Sequence, residues 1–332
     1  MENTDLKRLQ GGEFLIKDCT VDGFFIPEEF SEEALMVRDM ARDFVRNRVL
    51  PVFEQLEHET PLGNHDLTVQ LLKECGDLGL LGTAIPEEYG GSAQDFITNM
   101  LLQEMIAESR SFSVTHGAHS GIGTLPILYF GTDAQKANYL PKLVSGELKA
   151  AYCLTEPGSG SDALAAKTRA DLSADGTYYT MNGQKMWITN AGFADVFVVF
   201  AKIDGEKFTG FILERTMSGL TVGAEEKKLG IKGSSTRQVF FENVKVPVEN
   251  VLGTIGKGHQ IAFNILNIGR IKLAAGVLGG SKMATNFAAK YANERQQFGR
   301  PIGTFGAIRH KLGEMSVKIM QMNRQCIARL TI

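Results

Sequence analysis

The sequence predicts an α+β multidomain protein with a mainly helical segment over residues 1–150, a small antiparallel β domain over 151–254 and a helical bundle over 255–332. Three observations carry this. Apolar residues recur at helical spacing in the outer segments. Between them, short β-favouring runs are punctuated by Asp175-Gly176, Asn182-Gly183 and Asp204-Gly205, pairs that favour tight hairpins. A chain of 332 residues also exceeds what one hydrophobic core usually supports.

Taken in order, a leader with Gly11-Gly12 ends near Pro27. The first helix places Val37, Met40, Ala41, Phe44, Val45 and Arg48 at helical spacing, with Ser31 as N-cap and Glu32 and Glu33 at the positive end of its dipole. Pro51 limits its continuation. A second apolar pattern covers 67–78, a loop covers 85–91, and helix resumes over 96–109; Thr132 and Gln135 form a capping box for the next helix. Strands are expected over 178–181, 196–201, 210–214 and 239–241. Helical character returns at His259 and runs to about Glu294, and another helix runs from about Phe305. Gly276, Gly279 and Gly280 weaken the first of these in isolation but permit close approach by a neighbouring helix or ligand.

With 43% hydrophobic and 22% charged residues the chain can bury a sizeable core. A formal charge of −3 and a pI near 6.1 give no broad electrostatic reason to bind nucleic acid or anionic membranes. The amino terminus has neither a signal core nor a transit pattern, and no stretch reads as long and apolar enough to span a bilayer. A cytoplasmic protein is expected, or one of the mitochondrial matrix if a targeting segment has been removed. Cys19, Cys75, Cys153 and Cys326 lack metal-type spacing and read as reduced thiols. His116 and His119 could share a helical face, yet no third ligand cluster accompanies them, so no metal site is assigned.

The chemistry concentrates in Tyr152-Cys-Leu-Thr-Glu-Pro-Gly-Ser-Gly-Ser-Asp162 and Trp187-Ile-Thr-Asn190. Thr155 and Thr189 offer hydroxyls that can donate or accept at the edge of a flat heteroaromatic ring. Gly158 and Gly160 let backbone N–H groups approach a pyrophosphate. Trp187 offers a rigid face to pack on a ring, although alone it reads more simply as a core anchor. Gly158-Ser-Gly160-Ser-Asp-Ala163 also fits the dinucleotide fingerprint, but the glycine turns that follow point to hairpins rather than the βαβ unit such a site needs.

Together the two segments resemble the flavin-contacting loops of the acyl-CoA dehydrogenases. Further similar segments occur in order at 85–91, 207–214, 241–247 and 293–299; Leu266-Asn-Ile-Gly-Arg270 and 305–312 look most like the long and very-long-chain branch. The resemblance implies FAD lined by Tyr152, Cys153, Leu154, Thr155, Gly158, Ser159, Gly160, Ser161, Trp187, Ile188 and Thr189. Arg295 and Phe298 would reach the FAD of a neighbouring subunit, so a homodimer or dimer of dimers is implied. Ser161 would lie beside the pantetheine of acyl-CoA, and Asn267, Ile268, Gly269 and Arg270 would approach its thioester. The reaction implied is α-proton abstraction by a glutamate with hydride transfer to flavin, giving a trans-2-enoyl-CoA in fatty acid β-oxidation, with electrons passed to electron-transferring flavoprotein.

No catalytic residue is assigned. In most of the family the glutamate lies in the second half of the C-terminal bundle, which is expected beyond residue 332; in some relatives it stands where this chain has Gly269. The bundle is therefore expected to be incomplete and this chain inactive by itself, with Met315, Ile319, Met322 and Ile327 presenting apolar groups. Glu156 is expected to support its loop rather than act as a base. Two alternatives stand beside the dehydrogenase: a noncatalytic flavin-binding or assembly protein on the same scaffold, and an acyl-CoA oxidase.

Overall fold

The computed structural model describes residues 29–328, with side chains as far as residue 323; the predicted leader and Cys19, and the side chains of Cys326 and Ile327, lie outside what is described. Ser31 opens α1 (Glu32–Phe44), its hydroxyl accepting from Ala34 N at 3.1 Å. At Pro51 the chain leaves the α-helix through a π turn, Val45–Val49, and a 3-10 turn, Leu50–Val52, before α2 (Phe53–Glu59) and α3 (Asp66–Asp77). The Asp95 carboxylate accepts from Thr98 N at 2.7 Å and caps α4 (Phe96–Ile106). Next come α5 (Ser111–Gly117), α6 (Leu125–Phe130) and α7 (Asp133–Val144), the last begun by the expected capping box between Thr132 and Gln135.

The eight-stranded sheet contains β1 (Ala150–Cys153), β2 (Arg169–Leu172), β3 (Tyr178–Thr189), β4 (Val196–Ile203), β5 (Lys207–Glu214), β6 (Leu220–Glu225), β7 (Thr236–Pro247) and β8 (Val251–Leu252). Their order is β6-β7-β3-β2-β4-β5-β8, with β1 beside β4; β1 and β2 run parallel to β4 and the other pairings are antiparallel. Beyond the sheet lie α8 (Gly258–Glu294), a hairpin of β9 (Gln296–Gln297) and β10 (Arg300–Pro301), and α9 (Gly306–Ala328). The described residues form two compact units: 29–43, 95–108 and 271–328 in one, Phe44–Gln94 and Ser109–Arg270 in the other.

In the second unit, the period-2 alternation of strand side chains separates two cores. Tyr152, Leu154, Val198, Phe200 and Ile212 meet Leu125, Ile127, Leu140 and Leu143 of α6 and α7, and Ile261 and Ile265 of α8. Cys153, Phe197, Val199, Phe211 and Leu213 meet Met181, Val239, Val244 and Val246 on the opposite face. Burial of each large side chain contributes roughly 1.5–3 kcal/mol.

Three expectations change. Asp175-Gly176 and Asp204-Gly205 do make turns, with Gly176, Asp204 and Gly205 at φ of 70°, 55° and 77°. Asn182-Gly183 does not. It lies inside β3, where the register slips between Met181 and Gly183; Gly183 has φ 145°, and Thr168 fills the space a side chain would need. The strands are also longer and more numerous than predicted, because backbone pairing extends them through polar residues such as Asn182 and Gln184. Finally, composition predicts no stretch able to span a bilayer, whereas α8 passes that test by length and composition alone. Part of its apolar surface packs on protein, with Ile261, Ala262 and Ile265 in the core of the second unit and Ala275 on Met100 in the first, while Phe263, Leu273, Val277, Phe287 and Tyr291 are exposed.

Within the first unit, Lys282 Nζ donates to Glu104 Oε1 at 2.6 Å, bridging α8 and α4. A Cβ on Gly279 would collide with the Glu104 carbonyl, while one on Gly280 would meet nothing within 4 Å. Met315, Val317 and Met320 of α9 are exposed, whereas Ile319 and Met322 are half-buried. The two glycines give opposite predictions. Gly280→Ala should stabilise the protein by up to about 1 kcal/mol through helix propensity; Gly279→Ala should destabilise it by about 1–3 kcal/mol through overpacking, both read from urea unfolding midpoints.

Candidate functional site

Where β1 ends, the chain turns sharply over Glu156–Ser159, closed by reciprocal backbone bonds: Glu156 N to Ser159 O at 3.0 Å and Ser159 N to Glu156 O at 3.1 Å. Pro157 and Gly158 occupy the corner. The Glu156 side chain turns inward, accepting from Lys167 N at 2.6 Å, Thr168 N at 3.1 Å and Lys185 Nζ at 2.7 Å. Lys185 is 0% exposed, and its ammonium also donates to Leu154 O at 3.1 Å. Burial disfavours the Glu156 carboxylate, but the Lys185 charge and the N–H donors outweigh it and hold its pKa below the usual range. Glu156 is thus a support of the loop, as the sequence implied.

Lys185 joins that loop to the second segment, and Met186 N donates to Thr155 O at 2.9 Å. Immediately beyond, Lys185 pairs with Val239 and Ile188 with Arg237, so β3 holds one more residue than β7 between these pairs. This β-bulge re-aims Trp187. The residue is 59% exposed and its backbone sits at φ 57°, so Trp187 is not a core anchor. Thr189 is half-buried opposite Thr236. Asn190, at φ 68° and fully buried, donates through Nδ2 to Thr115 O at 3.0 Å and Ala150 O at 3.4 Å, fastening the end of β3 to α5 and the start of β1.

A charged cluster backs this end of β3. Glu225 accepts from Ser235 Oγ at 2.6 Å, Thr236 N at 2.8 Å and Arg237 Nε at 2.6 Å, and lies 3.1 Å from His65 Nε2. Burial opposes its ionisation, yet the hydrogen bonds from His65, Ser235, Arg237 and Thr236 N hold its carboxyl down to about 2.

The two glycines of the first loop fit a bound dinucleotide. A Cβ on Gly158 or Gly160 would meet nothing within 4 Å, and neither residue has a left-handed φ. Internal packing therefore does not require glycine there, whereas a ligand pressed against the backbone would. Ser161 is exposed beside them, and the Ser159 hydroxyl donates to Asp162 O at 2.7 Å.

The other expected site residues fall in several settings. Tyr152 and Leu154 send their side chains into one core, and Cys153 and Ile188 into the other. Tyr152 Oη donates to Ala262 O at 3.4 Å, and burial pushes the Cys153 thiol up to about 12, so it is a packed thiol rather than a nucleophile. On α8, Arg270 Nη1 donates to Asn267 Oδ1 at 2.7 Å; both are exposed, while Ile268 packs against the core and Gly269 faces Ile122. In the other unit, Arg295 is exposed before the β9–β10 hairpin, whose turn is Phe298 and Gly299 at φ 51° and 74°. A turn with two left-handed residues matches strand twist but strains Phe298, a residue 91% exposed.

His116 and His119 are buried structural residues: their Nε2 atoms meet Leu80 O at 3.1 Å and Leu143 O at 2.9 Å, and His119 Nδ1 accepts from Ala150 N at 3.1 Å. Sequence reasoning missed Lys185, Glu225 and Arg237, and included Asn190 only as the end of the second motif segment. Lys185 had a local signal, standing among the inward-facing positions of its strand; Glu225 and Arg237 had none, because their partners are distant in sequence.

Comparison with known proteins gives a consistent result. Three domain families of acyl-CoA dehydrogenase match in order: the N-terminal domain over residues 31–147, the middle domain over 151–244 and the C-terminal domain over 256–330. A probable acyl-CoA dehydrogenase of Bacillus subtilis (strain 168) is 52% identical over 94% of this chain and 52% of its own length. A second B. subtilis acyl-CoA dehydrogenase is 40% identical over 87% of this chain and 76% of its own length. The human very long-chain specific mitochondrial enzyme is 44% identical over 82% of this chain and 44% of its own. A crystal structure of an acyl-CoA dehydrogenase from Bacillus anthracis complexed with FAD superposes with a TM-score of 0.94 at 52% identity, covering 97% of this chain and 55% of that one. The chain thus spans about half the length of the first of these relatives.

Two predictions arise from these charges. Lys185→Met leaves the Glu156 carboxylate buried without its counter-ion and should cost about 3–5 kcal/mol, read from urea unfolding. Glu225, with its folded pKa near 2 against an ordinary 4.5, contributes full stability above about pH 4.5 and loses it as pH falls through that window. That contribution is on the order of 3 kcal/mol, so the urea midpoints of the native protein and Glu225→Gln should converge on acidification from neutral pH.

Proposed function

Because this chain belongs to the acyl-CoA dehydrogenase family, we propose that it serves the FAD-dependent α,β-dehydrogenation of fatty acyl-CoA to trans-2-enoyl-CoA. The observation that carries this is the pairing through Lys185 of two segments, one bearing the exposed Trp187 and the other an open glycine loop. Bound FAD would supply the two-electron acceptor for the hydride leaving the substrate β-carbon.

The chain's own groups would bind and orient. Thr155 and Thr189 offer hydroxyls to the polar edge of the flavin, while the backbone around Gly158, Ser159 and Gly160 is open to the pyrophosphate. Tyr152, Cys153, Leu154 and Ile188, their side chains committed to the two cores, would contribute backbone and firmness. Ser161 would border the pantetheine, and the exposed Asn267–Arg270 pair, with Ile268 and Gly269, would approach the thioester. Arg295 and Phe298 would serve the flavin of a second subunit in a homodimer or dimer of dimers; the strained, exposed Phe298 turn supports that role. The base that takes the α-proton is not assigned to any residue of this sequence.

Electron-transferring flavoprotein would accept the electrons, and the very-long-chain relatives support long acyl substrates. A three-domain division at 1–150, 151–254 and 255–332 fits the three matched families. The free thiols of Cys75 and Cys153 support a reducing compartment, the cytoplasm.

The test is to load the full-length protein, of which this chain supplies the flavin loops, with FAD and titrate it anaerobically with acyl-CoAs of graded length, following flavin absorbance. A yellow protein bleached best by long chains is expected. Flavin uptake without bleaching at any length would reject the dehydrogenase reading, and absence of uptake would reject the flavin reading itself.

A further inference from the structure

Both strands flanking β7 bulge at the same level. On one side β3 gains a residue between Lys185 and Ile188; on the other β6 gains one between Val222 and Glu225, and in both cases Val239 and Arg237 are the partners on β7. The two strands come back into register on Arg237. Its guanidinium reaches across the second bulge, donating from Nη1 to Gly223 O at 3.3 Å and from Nε to Glu225 Oε1 at 2.6 Å, and its Nη2 lies 2.8 Å from His65 Nε2.

From this clasp a continuous set of hydrogen bonds leads to the turn that follows Trp187. The Glu225 carboxylate fixes the Ser235 hydroxyl and Thr236 N. Ser235 then accepts from Gly192 N on its hydroxyl at 3.1 Å and from Asn190 N on its carbonyl at 3.0 Å. Gly192 cannot carry a side chain, since His65 Nε2 and Ser235 Oγ occupy that space. A left-handed tryptophan is strained and persists only when its surroundings over-determine it. An apolar cluster could fill the same volume, but it could not fix backbone donors in this way.

We propose that Glu225 and Arg237 are positioning residues that lock the β3 bulge and thereby hold the Trp187 ring outward for the flavin. The functional half of this rests on the proposed flavin-binding role; the structural half does not. His65 and Ser235 complete the clasp, tying it to the start of α3 and to the Asn190–Gly192 turn.

Trp187 is the single tryptophan of these 332 residues, so the selectively excited indole fluorescence of the flavin-free 332-residue chain reads this ring alone. Three variants separate the contributions: Glu225→Gln keeps shape and removes charge, Arg237→Lys keeps charge and removes the planar fork, and Ser235→Ala removes one hydroxyl. Each should retain the far-UV circular dichroism and a cooperative melt, yet show lower Trp187 anisotropy and stronger acrylamide quenching, with the FAD Kd raised about tenfold. Lys73→Ala, on the exposed face of α3, should leave all these values unchanged. If a charge variant fails to fold, Ser235→Ala carries the test. Native anisotropy and quenching in the folded variants would overturn the proposal. A Trp187 response in a protein that takes up no FAD even when native would retain the lock and reject the flavin reading.

Discussion

The buried ion pair between Lys185 and Glu156 is the constraint on which the site depends. An ammonium and a carboxylate removed from water carry a desolvation cost of several kcal/mol each, offset only when geometry and further hydrogen bonds are good. Here Lys185 also reaches Leu154 O, and Glu156 takes the N–H groups of Lys167 and Thr168. Together with the Met186 N–Thr155 O bond, the pair thus fixes the exit of β1 and the Glu156–Ser159 turn to β3. Thr155, between Leu154 and Glu156, is held with that contact, and β3 is fixed by it as far as Lys185, two residues before Trp187.

Around it, the sheet supplies rigidity where β1, β4 and β5 are buried on both faces. β4 is apolar along nearly all its length because cores lie on either side, so β1 beside it has little freedom to shift. Polar groups appear where the sheet loses regularity: the bulges of β3 and β6, the Asn190 turn and the Glu225–Arg237–His65 cluster. There the ladder alone no longer determines the backbone. Charged hydrogen bonds take over that task.

Glycine plays two opposite parts in this molecule. Gly183 and Gly279 are required by neighbours, Thr168 in one case and the Glu104 carbonyl in the other, which leave no room for a Cβ. Gly158 and Gly160 have open space instead. Internal packing thus requires glycine at the first pair of positions and not at the second.

The sequence by itself determined the helical flanks, the Ser31 and Thr132 caps, the hairpins at Gly176 and Gly205 and the two motif segments, because each is encoded by spacing or turn chemistry among near neighbours. It also implied that Glu156 supports its loop. Only the tertiary structure decided that Asn182-Gly183 is a bulge within β3 rather than a turn, since Thr168 and Asn243, distant along the chain, set the conformation there. It alone exposed Trp187, which in isolation reads as a core anchor, and it alone joined Glu225 and Arg237 to His65, more than 150 positions earlier in the chain. Local patterns record the propensities of a segment, whereas the pairing of buried charges depends on which strands the sheet brings side by side.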